Sequence, residues 1–189
     1  YGRNNLFELI KNITKEIFVP ITLGGGIRSI EDIDKALNSG ADKVAINSGA
    51  IENPLLIKNA SAKFGSSTIV SYIEAKKVGN NVWEPYKNCG RERSHLNLID
   101  WIKTVQNNGC GEILLTSIDR EGTELGFDID LIDSIKDYIK KPLIISGGCG
   151  SIQDILEIKE NYVDDSVAIA SVLHYKKISI SDIKDKIKS

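Results

Sequence analysis

Two near-copies of one stretch constrain the fold: Pro20-Ile-Thr-Leu-Gly-Gly-Gly26 with Ile27-Arg-Ser-Ile-Glu-Asp-Ile33, and Pro142-Leu-Ile-Ile-Ser-Gly-Gly148 with Ser151-Ile-Gln-Asp-Ile155. A second matched run follows each copy, Val44-Ala-Ile-Asn-Ser48 and Val167-Ala-Ile-Ala-Ser171. Each half therefore reads as strand, glycine turn, helix and strand, and the chain contains an internal duplication. Glycines lacking a Cβ let backbone N–H groups approach a ligand where a strand becomes a helix, a place that suits a phosphate. The polar ends of the following strands, Asn47-Ser48 and Ala170-Ser171, would add donors beside the glycines. Two such grips imply a ligand with a phosphate at each end. The alternative is that the glycines only make tight turns, which the repetition with its polar follow-on disfavours.

A chain of 189 residues with 41% hydrophobic content can bury one substantial core, and a single domain over residues 1–189 is expected. Its 24 basic residues nearly balance 26 acidic ones, so no global field steers nucleic acid or an acidic membrane surface. No apolar run is as long as a membrane span and no charged-then-apolar leader is present, so a cytoplasmic protein is expected. Cys89, Cys110 and Cys149 give an odd count without paired spacing, which argues for free thiols and against a disulfide framework or structural zinc. Nothing calls for a metal or an organic cofactor. The sequence starts at Tyr1 and contains no methionine, so an upstream part is expected to be missing.

Apolar residues at Leu6, Leu9, Ile10, Ile13 and Ile17 predict a helix over Asn5–Ile17. Ser29 predicts an N-cap for a helix ending near Asn38-Ser39-Gly40, and Asn53-Pro54 starts another that stops at Gly65. The strand Thr68–Glu74 is expected to end on its carboxylate, followed by a long loop from Gly79 to Ser94 that could hold a small hairpin. A helix over Leu96–Asn107, a strand over Glu112–Ile118, a helix from Asp128 and a last helix from Ser179 complete the pattern. Strands alternating with helices, and apolar on both faces, indicate a parallel sheet covered by helices. Glycines, hydroxyls and carboxylates fall where the strands end, as on the functional face of a (β/α)8 TIM barrel. Six strands are too few to close one, since such barrels run to about 250 residues. The expectation is an α/β barrel lacking its first two strands and first helix.

Over essentially its whole length the chain resembles the cyclase subunit of imidazole glycerol phosphate synthase. The resemblance rests on Leu23-Gly-Gly-Gly-Ile-Arg28, Gly40-Ala-Asp-Lys-Val-Ala-Ile-Asn47, Gly111-Glu-Ile-Leu-Leu-Thr-Ser-Ile-Asp-Arg-Glu-Gly-Thr123, Ser146-Gly-Gly148 and Ala170-Ser-Val-Leu-His174. The related isomerase of histidine biosynthesis shares the duplication, but Ile113-Leu-Leu-Thr-Ser-Ile-Asp119 looks like the cyclase. The resemblance implies a half-enzyme that receives ammonia from a glutaminase partner, through the barrel, and uses it on a doubly phosphorylated, ribonucleotide-type substrate. It also implies one phosphate grip at Gly26, Asn47 and Ser48 and another at Glu121, Gly122, Gly148, Ala170 and Ser171. Lys43 and Glu112 match the family's ammonia gate, and Asp42 a contact to the glutaminase; an ordinary ion pair is the plainer reading of Lys43 with Glu112. Thr116, Asp119, Arg91 and Ser146 complete the implied substrate site, with a structural hydrogen bond the equal alternative for Asp119.

Such chemistry needs two carboxyl groups on opposite sides of the substrate. The family's first lies upstream of this chain, so the chain alone is expected to be inactive. The second position holds Glu74, within Glu74-Ala-Lys-Lys77, where the family has aspartate. The extra methylene moves the carboxylate by about 1.5 Å, and misplacement by about 1 Å can slow a reaction roughly 100-fold. Asn88-Cys-Gly-Arg-Glu-Arg-Ser-His95 also departs from the family's glycine- and threonine-bearing loop, and Cys89 beside Arg91 is a candidate loop feature. His95 and His174 are too isolated to be assigned catalysis or metal binding. This pattern resembles a paralogous group that, with a glutaminase and a third protein, installs acetamidino groups on bacterial surface sugars. A non-catalytic barrel serving the glutaminase as a scaffold is the competing class. Strand edges at Pro20–Gly24 and Val167–Ser171 would be exposed in an incomplete barrel, so a cover is expected from the missing segment, as a separate chain or a swapped copy.

Overall fold

A computed structural model describes residues 3–14, 16–162 and 166–188. The chain divides into two compact units, the first gathering the described residues up to Tyr72 with Thr104–Glu112, the second Ile73–Lys103 with those from Ile113 onward. Both are α/β.

In the first unit the order is α1 (Arg3–Ile13), β1 (Thr22–Gly24), α2 (Ile30–Asn38), β2 (Lys43–Ile46), α3 (Ser48–Glu52), α4 (Leu55–Phe64) and the start of β3 (Ile69–Gly79). β1 pairs parallel with β2, Leu23 opposite Val44, and β2 pairs parallel with β3, Ile46 opposite Ser71. The core is aliphatic: Ile33, Ala36, Val44, Ile46, Ile57, Ala60 and Ile69 are buried. α2 begins where expected because the Ser29 hydroxyl accepts the Asp32 N–H and the Asp32 carboxylate accepts the Ser29 N–H. α1 stops at Ile13, four residues before the predicted end, where the Thr14 hydroxyl donates to the Lys11 carbonyl at 3.4 Å. α4 starts after Pro54, which occupies the cap position itself.

The second unit continues β3 and adds β4 (Val82–Lys87), β5 (Glu92–Arg93), the start of α5 (Leu98–Asn107, which from Thr104 on belongs to the first unit), β6 (Glu112–Ser117, whose first residue belongs to the first unit), α6 (Ile129–Ile135), β7 (Leu143–Ser146), α7 (Ile152–Asn161), β8 (Ser166–Ala168), α8 (Ser171–His174) and α9 (Ile180–Lys188). β6 pairs parallel with β7, and β7 with β8. Ile113, Leu115, Leu131, Ile132, Ile135, Leu143, Ile145 and Ile158 fill its core. Ser151 and Asp154 cap α7 with the same reciprocal pair of bonds that Ser29 and Asp32 make at α2.

Two expectations are corrected. Glu74 does not end its strand: β3 runs on to Gly79 and turns through Asn80-Asn81 into antiparallel β4, pairing Lys77 with Trp83 and Glu74 with Tyr86. Asn81 takes the left-handed φ of 51° that the turn needs, which asparagine tolerates. Nor do Asn47-Ser48 and Ala170-Ser171 end strands. β2 stops at Ile46 and β8 at Ala168, and Asn47 and Ala170 are the caps of the short helices α3 and α8.

Candidate functional site

Three consecutive strand ends of the second unit enclose a cavity of about 90 Å³, lined by Glu121, Gly122, Glu124, Ser146, Gly147, Gly148, Cys149, Ala168, Ile169, Ala170 and Ser171. One water needs only about 10–15 Å³ measured this way, so a tetrahedral oxyanion has room. The walls are largely backbone, and that is why glycines are required. Gly147 and Gly148 have φ of 96° and 98°, and a Cβ on Gly148 would fall 2.1 Å from the Gly126 carbonyl oxygen. The Gly126 N–H in turn donates to the Gly148 carbonyl at 2.8 Å, closing the loop after β6 onto the glycine turn after β7. The first N–H groups of a helix have no partner within it, and Ala170 and Ser171 bring the start of α8 to the same cavity.

Six residues singled out in the sequence thus meet in one place: Glu121, Gly122, Ser146, Gly148, Ala170 and Ser171. Thr116 is buried and pairs with Ser146 across β6 and β7. Glu124 and Cys149 were missed. Glu124 forms an ion pair with Lys177, a contact between residues 53 apart in sequence that no local pattern announces. Burial, with the Asp154 carboxylate nearby, pushes the Cys149 thiol up to about 11, so it lines the cavity as a neutral group.

In the first unit the glycine turn and the run after β2 also meet. Gly25 and Gly26 have φ of 100° and 69°, and a Cβ on Gly49 would lie 2.3 Å from the Ile27 carbonyl oxygen. Asn47 and Ser48 therefore start α3 directly against the turn that holds Gly26. An Arg28–Glu52 ion pair at 3.2 Å ties the turn to the far end of α3.

Glu74 lies within β3 opposite Tyr86, so the two side chains share a face of the hairpin. The Asp119 carboxylate accepts the Lys77 N–H at 2.8 Å, which fixes the residue after β6 to the continuation of β3. Arg91 is exposed in the turn between β4 and β5, where its N–H donates to the Lys87 carbonyl at 3.1 Å. Cys89 is also exposed there. Glu84 is the hairpin's buried acid. Burial alone would push its carboxyl up, but hydrogen bonds from the Arg93 guanidinium and the His95 N–H outweigh this and hold it below the ordinary carboxylate range.

At the other end of the strands in the first unit, Lys43 opens β2 and forms an ion pair with Glu112, which opens β6. Their side chains are 29% and 23% exposed. Asp42 is already engaged, its carboxylate accepting the Ile21 N–H at 2.8 Å. Among the described residues no cluster of three or more His, Cys, Asp or Glu is placed to hold a metal ion, and no helix is long and apolar enough to cross a membrane.

Comparison with known proteins identifies the family. Residues 1–179 match the family described as histidine biosynthesis protein. The HisF subunit of imidazole glycerol phosphate synthase from Hydrogenobaculum sp. is 46% identical over 186 residues, covering 98% of this chain and 74% of the relative. The HisF subunits of Helicobacter hepaticus and Streptococcus gordonii are 46% and 41% identical, each over 182 residues covering 96% of this chain and 72% of the relative. Matched by the family model over residues 1–179 and by relatives 41–46% identical over nearly its whole length, the chain belongs to the family of the HisF subunit of imidazole glycerol phosphate synthase.

Proposed function

We propose that this chain is the cyclase half of an ammonia-using synthase, built as a (β/α) barrel, that takes a bisphosphorylated substrate and works with a glutaminase. The observation that carries this is the second unit's cavity, which gathers Glu121, Gly122, Gly148, Ala170 and Ser171 from three strand ends around a glycine turn. Gly26, Asn47 and Ser48 supply the second grip in this reading, supported by the contact of Gly49 with the Ile27 carbonyl. Glu74 is one of the two proton-transfer carboxyls, a role worth about 10²–10⁴ in rate. Thr116, Ser146, Asp119 and Arg91 orient the substrate. Ammonia enters past Lys43 and Glu112, with Asp42 at the glutaminase contact.

A second reading, favoured by Glu74 in place of aspartate and by the Asn88–His95 loop, assigns the same machinery to acetamidino groups of surface sugars. The test is turnover of the bisphosphate substrate of histidine synthesis by the natural polypeptide with its glutaminase, against Glu74→Gln. Turnover lost about 10²–10⁴-fold in the variant supports the cyclase of histidine synthesis. Binding of that substrate without turnover supports the surface-sugar paralogue. Neither binding nor turnover sinks both and leaves a scaffold for the glutaminase.

A further inference from the structure

Glu84 is 3% exposed in a hairpin whose other charged side chains reach solvent. Its Oε2 accepts Arg93 Nε–H at 3.0 Å and the terminal guanidinium N–H at 2.7 Å, and its Oε1 accepts the His95 N–H. Removing a carboxylate from water is unfavourable unless charge-assisted bonds replace the lost hydration, and here three do. Those bonds span the turn between β4 and β5, whose backbone needs outside support: Cys89 holds φ of 59°, and His95 just beyond β5 holds 61°. Such non-glycine residues persist in the left-handed region only where their surroundings over-determine them.

The pinned hairpin forms the surroundings of Glu74. Glu74, Tyr86 and Arg93 stand in one cross-strand row, and Lys76 and Glu84 two rows on, on the same face. Directly opposed side chains share a face with Cβ atoms about 4.5–5.5 Å apart. Tyr86 is 9% exposed, with the Lys76 ammonium 5.8 Å from its ring centre. The turn is seated as well, since a Cβ on Gly90 would lie 3.2 Å from Ile118 Cδ1, and the Ile118 N–H donates to the Ala75 carbonyl at 2.8 Å.

The geometry points to Glu84 as a positioning residue for Glu74: its buried carboxylate locks β5 onto β4, and so fixes Tyr86 as the wall of the site beside Glu74. This rests on the proton-transfer role proposed for Glu74. Glu84 acts through the hairpin and does not itself meet substrate.

The experiment compares wild type, Glu84→Ala and Glu84→Gln in complex with the glutaminase. It measures amide hydrogen exchange, steady-state kinetics on the bisphosphate substrate, and binding of inorganic phosphate. Glu84→Ala is expected to lose protection at the His95 amide and to lower kcat up to about 100-fold, the scale of a 1 Å displacement. KM and phosphate affinity should stay within about twofold, and Glu84→Gln, which keeps an acceptor for His95, should lie between. Unchanged kcat in Glu84→Ala despite lost protection overturns the inference. So does a parallel loss of phosphate binding, which marks a general structural role. Should wild type fail to turn over this substrate, the cyclase reading falls separately, and the ¹³C carboxyl resonance of Glu74 decides the inference. Movement of that resonance in Glu84→Ala sustains it, and an unmoved resonance overturns it.

Discussion

The Gly148 carbonyl accepts the Gly126 N–H at 2.8 Å, while a Cβ on Gly148 would lie 2.1 Å from the Gly126 carbonyl oxygen. The cavity thus exists because one glycine lets two loops touch through their backbones. Gly148→Ala must move one of those loops and also bear a φ of 98°. Gly25, with φ of 100° and nothing within 4 Å of its ideal Cβ, isolates the conformational part alone. Gly25→Ala is expected to destabilise by about 1–2 kcal/mol and Gly148→Ala by more, as urea unfolding would record. Calorimetric titration with inorganic phosphate should show binding at the second unit's cavity lost only in Gly148→Ala. Equal behaviour of the two variants contradicts the contact argument.

The Lys43–Glu112 ion pair is too shielded to be a screened surface pair and too exposed to be a fully desolvated one, at 29% and 23% side-chain exposure. Removing one partner of a fully buried pair is unfavourable by about 3–5 kcal/mol, and exposed pairs contribute at most about 1. Lys43→Ala is therefore expected to lower stability by about 1–2 kcal/mol, with a smaller effect in Glu112→Gln. A gating role makes a further demand: the variant should lose more of its glutamine-dependent rate than of its rate with ammonia supplied in solution. Equal losses by both routes would leave the pair a structural one.

Most of the strand and helix order could be read from the sequence because the duplication repeats strong local signals. Ser29 announces a helix start by position and does cap α2, and the repeat carries the same cap to α7, where Ser151 and Asp154 make the reciprocal bonds that Ser29 and Asp32 make. The glycines flagged around Gly148 meet Glu121, Gly122 and Ser171 because a parallel sheet brings consecutive strand ends together. Longer-range matters were hidden. The hairpin after Glu74 turns on Asn80-Asn81, a weaker signal than asparagine followed by glycine, so the sequence marks Gly79–Ser94 only as a loop that could hold a small hairpin and does not place β4. The burial of Glu84 depends on Arg93, nine residues on, and the place of Glu124 beside the cavity depends on Lys177. Such pairings follow from tertiary contact and leave no periodic trace.

Cysteine chemistry separates the three thiols. Cys89 is exposed, whereas Cys110 and Cys149 are buried. Iodoacetamide at neutral pH is expected to modify Cys89 first and Cys149 only on unfolding, as peptide mass mapping would show; early labelling of Cys149 contradicts its burial. A stability effect follows, because burial raises the Cys149 thiol from 9.0 to about 11. Between those values the unfolded chain has lost the proton and the folded one has kept it. The contribution is complete below about pH 9 and is lost as pH rises toward 11, amounting to roughly 2 kcal/mol. Cys149→Ser should flatten that part of the stability profile, and a profile unchanged by the substitution is the opposing result.

Asp119 can both orient a substrate hydroxyl and hold the backbone, and its bond to the backbone is seen directly. Its carboxylate accepts the Lys77 N–H at 2.8 Å, on the strand that carries Glu74. An asparagine keeps a carbonyl oxygen at that place, so Asp119→Asn is expected to hold stability within about 0.5 kcal/mol. Asp119→Ala returns the exposed N–H to water and should lose about 1 kcal/mol, the ordinary net value of one such bond. If the backbone bond is the whole of the role, kcat falls in the alanine variant and is largely kept in the asparagine one. Thermal unfolding beside steady-state rates separates the cases: a stable Asp119→Asn protein that has lost its turnover assigns the carboxylate to the substrate instead.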